Sequence, residues 1–161
     1  MFKNLIICVG IPGSGKSTWT RDFLQHNSQY LRINRDDIRR TLNKDLVEYY
    51  SRKDVFVIEK IVSDIEQSIA SSIFNYKKSI IIDNTNLKLK TIQQWIDIAY
   101  DFGYKVSFKL FDCDLELAKS RVINRDEYNA LNKVAYIEKQ YKQYIEVKKY
   151  ILEHHKEEIY E

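Results

Sequence analysis

Eight consecutive residues, Gly10-Ile11-Pro12-Gly13-Ser14-Gly15-Lys16-Ser17, hold three of the chain's four glycines and its one proline. Glycine lets the backbone turn successive N–H groups onto one point, as a bound phosphate requires. The spacing is G-x-x-x-x-G-K-[ST] at every fixed position. In that pattern the lysine brings a positive charge to the outer phosphates and the serine hydroxyl ligates Mg²⁺. The start of the following helix adds roughly half a charge. Gly10, Gly13, Ser14, Gly15, Lys16, Ser17 and Thr18 are therefore the expected nucleoside-triphosphate cradle, with Lys16 catalytic and Ser17 on the metal.

The group that receives the phosphate must come from other strand ends, because ligands of such sheets sit outside the carboxyl edge. "INRDDIRR", Ile33 to Arg40, brings two carboxylates and three arginines together. A carboxylate at Asp36 can accept the proton of an attacking hydroxyl. Arg39, three residues on, shares its helical face and can fork onto an acceptor phosphate. The plainer alternative is a helix-capping Asp among solvated arginines. In "IIIDNTN", an apolar run ends in Asp83, the expected water-mediated Mg²⁺ ligand, followed by Asn84 and Thr85 at the acceptor edge. Asn86 is expected to cap the next helix. In "KSRVINR", Arg121 and Arg125 stand four apart, as a lid closing on the triphosphate or as a solvated basic face. "DCDLE" starts like an aspartate-based phosphatase loop, but its fifth residue is Glu116. Asp112 and Asp114 are assigned to a strand end and a helix cap.

These residues need a frame. "NLIICVG" and "SIIID" are short continuous apolar runs, as expected for strands buried on both faces. "YLRIN" and "YKVSFKLFD" supply two further strands. Helices are expected from Ser17 to about His26, from "DDIRRTL", and from Val55 through Ile73. Others should run from Asn86 to Phe102 with Gly103 as the stop, from about Leu115 to Arg121, and from about Lys133 to His155. Strands alternating with helices predict an α/β fold with a mainly parallel sheet, here the P-loop type, as one domain over residues 1–161. The long last helix is expected to serve packing or homo-oligomerisation.

Composition narrows the class. Of 161 residues, 44% are hydrophobic and 30% charged, with a net charge of +3, which fits a globular protein and permits a polyanionic partner. The apolar run near Met1 is too short for a membrane span. Two cysteines are too few for a disulfide framework or a zinc cluster, and Cys8 is expected in the core. A cytoplasmic location is expected.

"GIPGSGKSTW", "INRDDIR", "DNTNL" and the "FD…R-x-x-x-R" run, in this order from Phe2 to Arg125, resemble the kinase module of 5′-hydroxyl polynucleotide kinases, the phage type especially. The resemblance implies ATP and Mg²⁺ as cofactors and the 5′-hydroxyl ends of DNA or RNA as acceptor. It also implies Asp36 as general base, Arg39 on the acceptor's 3′-phosphate, and Arg121 and Arg125 in the lid. The phage-type pattern has Asp directly before Thr-Asn, where this chain has Asn84, with Asp83 one earlier. The chain is too short to add the phosphatase domain of bifunctional members. A small-molecule kinase shares the P-loop chemistry, and a non-catalytic nucleotide switch shares the loop. Asp36 disfavours the switch.

Overall fold

The computed structural model of the protein describes residues 3–124 and 130–160. Four strands alternate with helices: β1 (Asn4–Val9), α1 (Lys16–His26), β2 (Tyr30–Ile33), α2 (Arg35–Leu42), α3 (Leu46–Ser51), α4 (Val55–Asn75), β3 (Ser79–Ile82), α5 (Leu89–Asp101), β4 (Lys105–Leu110), α6 (Leu115–Ile123) and α7 (Ala130–His154). The strands form one parallel sheet in the order β2-β3-β1-β4. All four therefore end at one edge, as the α/β expectation required.

The two central strands are buried on both faces because both faces are covered. Leu5, Ile7 and Val9 of β1 join Ile80 and Ile82 of β3 in the larger core, against Ala70 and Phe74 of α4, Trp95 of α5 and Tyr144 of α7. Ile6, Cys8 and Ile81 point the other way, against Trp19, Phe23 and Leu24 of α1. Strand alternation thus assigns neighbouring apolar residues to different layers. Cys8 is the expected core residue, fully buried, and burial pushes its thiol up to about 12. At the β4 edge the tail returns: the Tyr160 N–H donates to the Phe108 carbonyl at 2.8 Å. That pairing covers an edge that would otherwise offer free backbone groups.

Several expectations shift. In α4, Val62 and Ile73 are buried as expected, but Ile69 is turned partly to solvent, and the buried stripe runs through Glu66 and Ala70. The helix carries a charged residue inward because that charge has partners, described below. The short helix α3 is additional to the expected elements; its start signal is local, with Asp45 accepting the Glu48 N–H at 3.4 Å. α7 begins three residues earlier than expected. Gly103 does end α5, with φ at 71°.

The expected capping role of Asn86 is wrong. α5 starts at Leu89 behind Lys88, and Asn86 is a buried loop residue with φ at 48°. Its Nδ2 donates to the Cys8 carbonyl at 2.7 Å, tying the loop after β3 to β1. Asparagine tolerates this left-handed backbone better than most residues and supplies the amide donor. Asn86→Ala is expected to lose about 2–3 kcal/mol, from backbone strain plus the lost bond. Asn86→Gly, which relieves only the strain, should lose less. Urea unfolding of both variants checks this ordering.

Candidate functional site

The loop after β1 is shaped by two left-handed glycines, Gly13 at φ 81° and Gly15 at φ 97°. Gly13 is also pressed on α6: a Cβ there would stand 2.6 Å from the Ala118 carbonyl oxygen. Any larger residue would push the loop off that helix. Gly15 precedes α1, so the start of that helix, with its unpaired N–H groups, adjoins the loop. Lys16 is buried, and its Nζ donates to the carbonyls of Gly10 and Ile11, both at 2.8 Å, with Ser14 Oγ at 3.5 Å. The loop therefore holds its own lysine inward, across the space an anion would fill.

Beyond the loop lies a cavity of about 690 Å³ at the carboxyl edge of the sheet. Six cationic side chains (Lys16, Arg21, Arg32, Arg35, Arg39 and Arg40) line it, against three carboxylates (Asp36, Asp37 and Asp83). Gly13, Gly15, Ser17, Thr18, Asn84 and Thr85, all expected at the site, also line it. Such a wall favours a ligand with several negative charges.

Asn34 caps α2, its side chain accepting the Asp37 N–H at 3.1 Å. The capping explanation of Asp36 therefore fails. Asp36 lies in the first turn, and its carboxylate accepts from Arg39 Nη1 at 2.8 Å. Arg39 is held from behind by Glu59 of α4, with Nε on Oε1 at 2.7 Å and Nη2 on Oε2 at 2.8 Å. Tyr49 donates its hydroxyl to the same carboxylate at 2.6 Å. Burial alone would raise the Glu59 pKa, but the Arg39 and Tyr49 hydrogen bonds bring it down to about 2. Burial pulls the Arg39 pKa down, yet the bond to Glu59 carries it above its usual value, so this cation persists at any working pH.

Asp37 is the engaged neighbour. Arg32 of β2 reaches it with Nη1 and reaches Asp83 with Nε at 2.7 Å. One guanidinium thus links two carboxylates and leaves Asp36 to Arg39. Burial pushes the Asp83 carboxyl up, and Arg32, the Ser17 hydroxyl and the Lys16 charge offset this only in part. Asp83 Oδ1 is buried without a hydrogen-bond partner among the described residues. An orphaned carboxylate oxygen beside the Ser17 hydroxyl fits a divalent cation, directly or through water. Asn84 is spoken for at both ends of its amide: it accepts the Arg35 N–H at 2.9 Å and donates to Glu66 at 2.7 Å. Thr85 presents its carbonyl to the Gly10 N–H at 3.1 Å.

Arg121 of α6 donates to the Gly13 carbonyl at 3.0 Å, so it touches the phosphate loop from outside the cavity. Arg125, the other expected lid residue, lies outside the described residues. Asp114 caps α6, as expected. Asp112 accepts from Tyr144 at 2.8 Å and from Lys148 at 2.7 Å, anchoring α7 to the end of β4. Arg32, Glu59, Tyr50, Tyr136 and Gln140 join the site without any local pattern that marks them. Glu66 did leave a trace, as a charge four residues from Val62 and from Ala70 within an apolar stripe.

A parallel sheet whose first strand enters a glycine-rich loop, a buried lysine and a helix start defines a P-loop nucleotide-binding protein. Within that class the chain belongs to the AAA domain family, whose model matches residues 5–147. It is 32% identical over 154 residues to the "Putative bifunctional polynucleotide kinase/RNA ligase" of Autographa californica nuclear polyhedrosis virus, covering 90% of this chain and 21% of that protein. It is 26% identical to the adenylate kinase of Campylobacter concisus, covering 76% of this chain and 68% of that enzyme. Among solved structures it resembles a chain of the Pnkp1/Rnl/Hen1 RNA repair complex, with a TM-score of 0.76 and 29% identity over 92% of this chain and 46% of that one. The chain thus spans about a fifth of the viral relative and under half of the repair-complex chain. Among the described residues, no helix is long and apolar enough to cross a membrane.

The lowered Glu59 pKa predicts a pH-dependent cost for Glu59→Gln. A carboxylate whose folded pKa is depressed stabilises the fold above its unfolded value of 4.5 and loses that contribution as pH falls through about 2. The stability gap between wild type and Glu59→Gln should therefore be largest above pH 4.5 and close toward pH 2. Urea midpoints across that range measure it.

Proposed function

We propose that this chain is a kinase domain that moves the γ-phosphate of ATP to the 5′-hydroxyl of a DNA or RNA end. The observation that carries this is the placement of Asp36 and Arg39 in the same cavity as Lys16 and Ser17. A binding switch needs no carboxylate and arginine pair opposite its phosphate loop. The names of the viral relative and of the repair complex support a polynucleotide acceptor.

In this reading the acceptor's 5′ oxygen attacks the γ-phosphorus, its proton passes to the Asp36 carboxylate, and the bond to the β-phosphate oxygen breaks, releasing ADP. Asp36 suits the role because its carboxylate meets Arg39 on the cavity wall, whereas Asp37, equally exposed, is drawn onto Arg32 and Arg40. Lys16 and the loop N–H groups stabilise the transferring charge. Ser17 and Asp83 would hold Mg²⁺, which when bound neutralises the outer phosphates. Arg39, fixed by Glu59, would take the acceptor's 3′-phosphate through the N–H groups that Glu59 and Asp36 leave. Arg121, with Arg125 beyond the described residues, would belong to the lid. The domain acts as one unit over residues 1–161.

A second reading, a small-molecule kinase, is favoured by the adenylate kinase relative. Labelled ATP offered with 5′-hydroxyl oligonucleotides, nucleoside 3′-monophosphates and plain nucleosides separates the two. The 3′-phosphorylated acceptors should be far better, and Arg39→Ala should shrink that preference, with Arg39→Lys restoring only part of it. Equal use of plain nucleosides or sugars by the wild type would hand the function to the second reading.

Asp36→Asn is expected to remove transfer while ATP binding persists. Asp37→Asn should keep most of the activity, since Arg32 retains Asp83. Lys16→Ala should lower turnover by about a hundred-fold or more. Single-turnover rates with calorimetric ATP affinities test all three, and a dead Asp37→Asn beside an active Asp36→Asn would move the base by one residue.

A further inference from the structure

The kinase reading gives roles to the loop, Asp36 and Arg39, and leaves three side chains of the same cavity unused. Tyr50 of α3 and Tyr136 of α7 both line it. The two residues are 41% and 58% exposed, so aromatic surface is open beside the guanidinium groups of the cavity. The Arg39 guanidinium carbon lies 5.8 Å from the centre of the Tyr50 ring. Burial pushes the Tyr50 hydroxyl up to about 12, and Tyr136 stands close enough to add to that rise. Two tyrosines from distant elements therefore come near each other on the cavity wall, one of them over Arg39. One helical turn beyond Tyr136, Gln140 is 7% exposed on the cavity wall. Its Oε1 is buried and has no hydrogen-bond partner among the described residues.

Each feature asks for the same ligand chemistry. Exposed aromatic faces beside fixed cations suit a molecule that carries both a flat π-system and a phosphate. A buried amide oxygen without a donor is costly unless a ligand brings the donor. Nucleobases carry ring N–H or exocyclic amino donors on their edges.

We propose that Tyr50, Tyr136 and Gln140 form a nucleobase subsite for the first nucleotide of the acceptor, with its base stacked on the tyrosines and its edge donating to Gln140 Oε1. The inference rests on the kinase reading and deepens it. A base held this way has left its stack and its pairing partner, so the acceptor is an unpaired 5′ end.

The test is calorimetric binding to the whole chain of a nucleoside 3′-monophosphate and of the same sugar 3′-phosphate without a base. Wild type should bind the base-bearing compound roughly ten-fold or more tightly. Tyr136→Ala should erase most of that difference while leaving the affinities for the base-less compound and for ATP unchanged. Tyr136→Phe, which keeps the ring, should keep the difference. Gln140→Leu should reorder the preference among the four bases. The proposal is overturned if the base adds nothing in wild type, or if Tyr136→Ala weakens both acceptors alike. A loss of ATP affinity instead would also overturn it, placing the ring on the donor side. Transfer to 5′-hydroxyl ends is measured separately: base-dependent binding without transfer would sink the kinase reading and leave the subsite standing.

Discussion

The side of the cavity that would receive the acceptor on the proposed reading stands on the Glu66 carboxylate. It is buried inside the apolar stripe of α4, where a lone charge would not survive. It accepts from Arg35 at 2.9 Å and from Asn84 at 2.7 Å, so α2 and the loop after β3 meet on one residue. Arg35 carries the link further, to Glu59 at 3.1 Å and Ser63 at 3.0 Å, while its own backbone N–H binds Asn84. This junction sets where α2 begins, hence where Asp36 and Arg39 point. Replacing one partner would leave another buried and unpaired, a heavier loss than any surface ion pair in the chain.

Local order and distant contacts differed in how visible they were beforehand. The two central strands could be read because "LIICV" and "III" are apolar on every residue, as strands of a sheet covered on both faces are. The phosphate loop was legible because its chemistry lies within eight consecutive residues. Asp36 and Arg39 were legible as a pair because helical spacing alone brings them together. Arg32 was not: it is one arginine in a short strand, and its meaning comes from Asp83, 51 residues away. Glu59 was hidden for the same reason, 20 residues from Arg39 along the chain. Asn86 misled because asparagine before a helix usually signals a cap, and only the fold shows that its amide is needed at Cys8.

Charge in the cavity is arranged, not merely abundant. Arg32 is drawn onto two carboxylates, Arg35 onto α4, and Arg39 onto Glu59. The guanidinium planes are therefore set before any ligand arrives, and the rotamer entropy of ordering them is lost during folding and not during binding. The surrounding acids also offset part of the cationic excess, so aimed N–H groups would add directionality to the attraction for an anion.

Two bonds join β1 and its phosphate loop to the loop after β3: Gly10 N–H to the Thr85 carbonyl, and the Asn86 amide to the Cys8 carbonyl. The two half-sites are thus fastened at their roots, with a span between them that the backbone itself fixes. On the proposed reading, that span is a ruler. A bisubstrate inhibitor, an adenosine polyphosphate joined to a nucleoside through its 5′ oxygen, would have one optimal bridge length. Shortening or lengthening its phosphate chain would be answered by the compound and not by the protein.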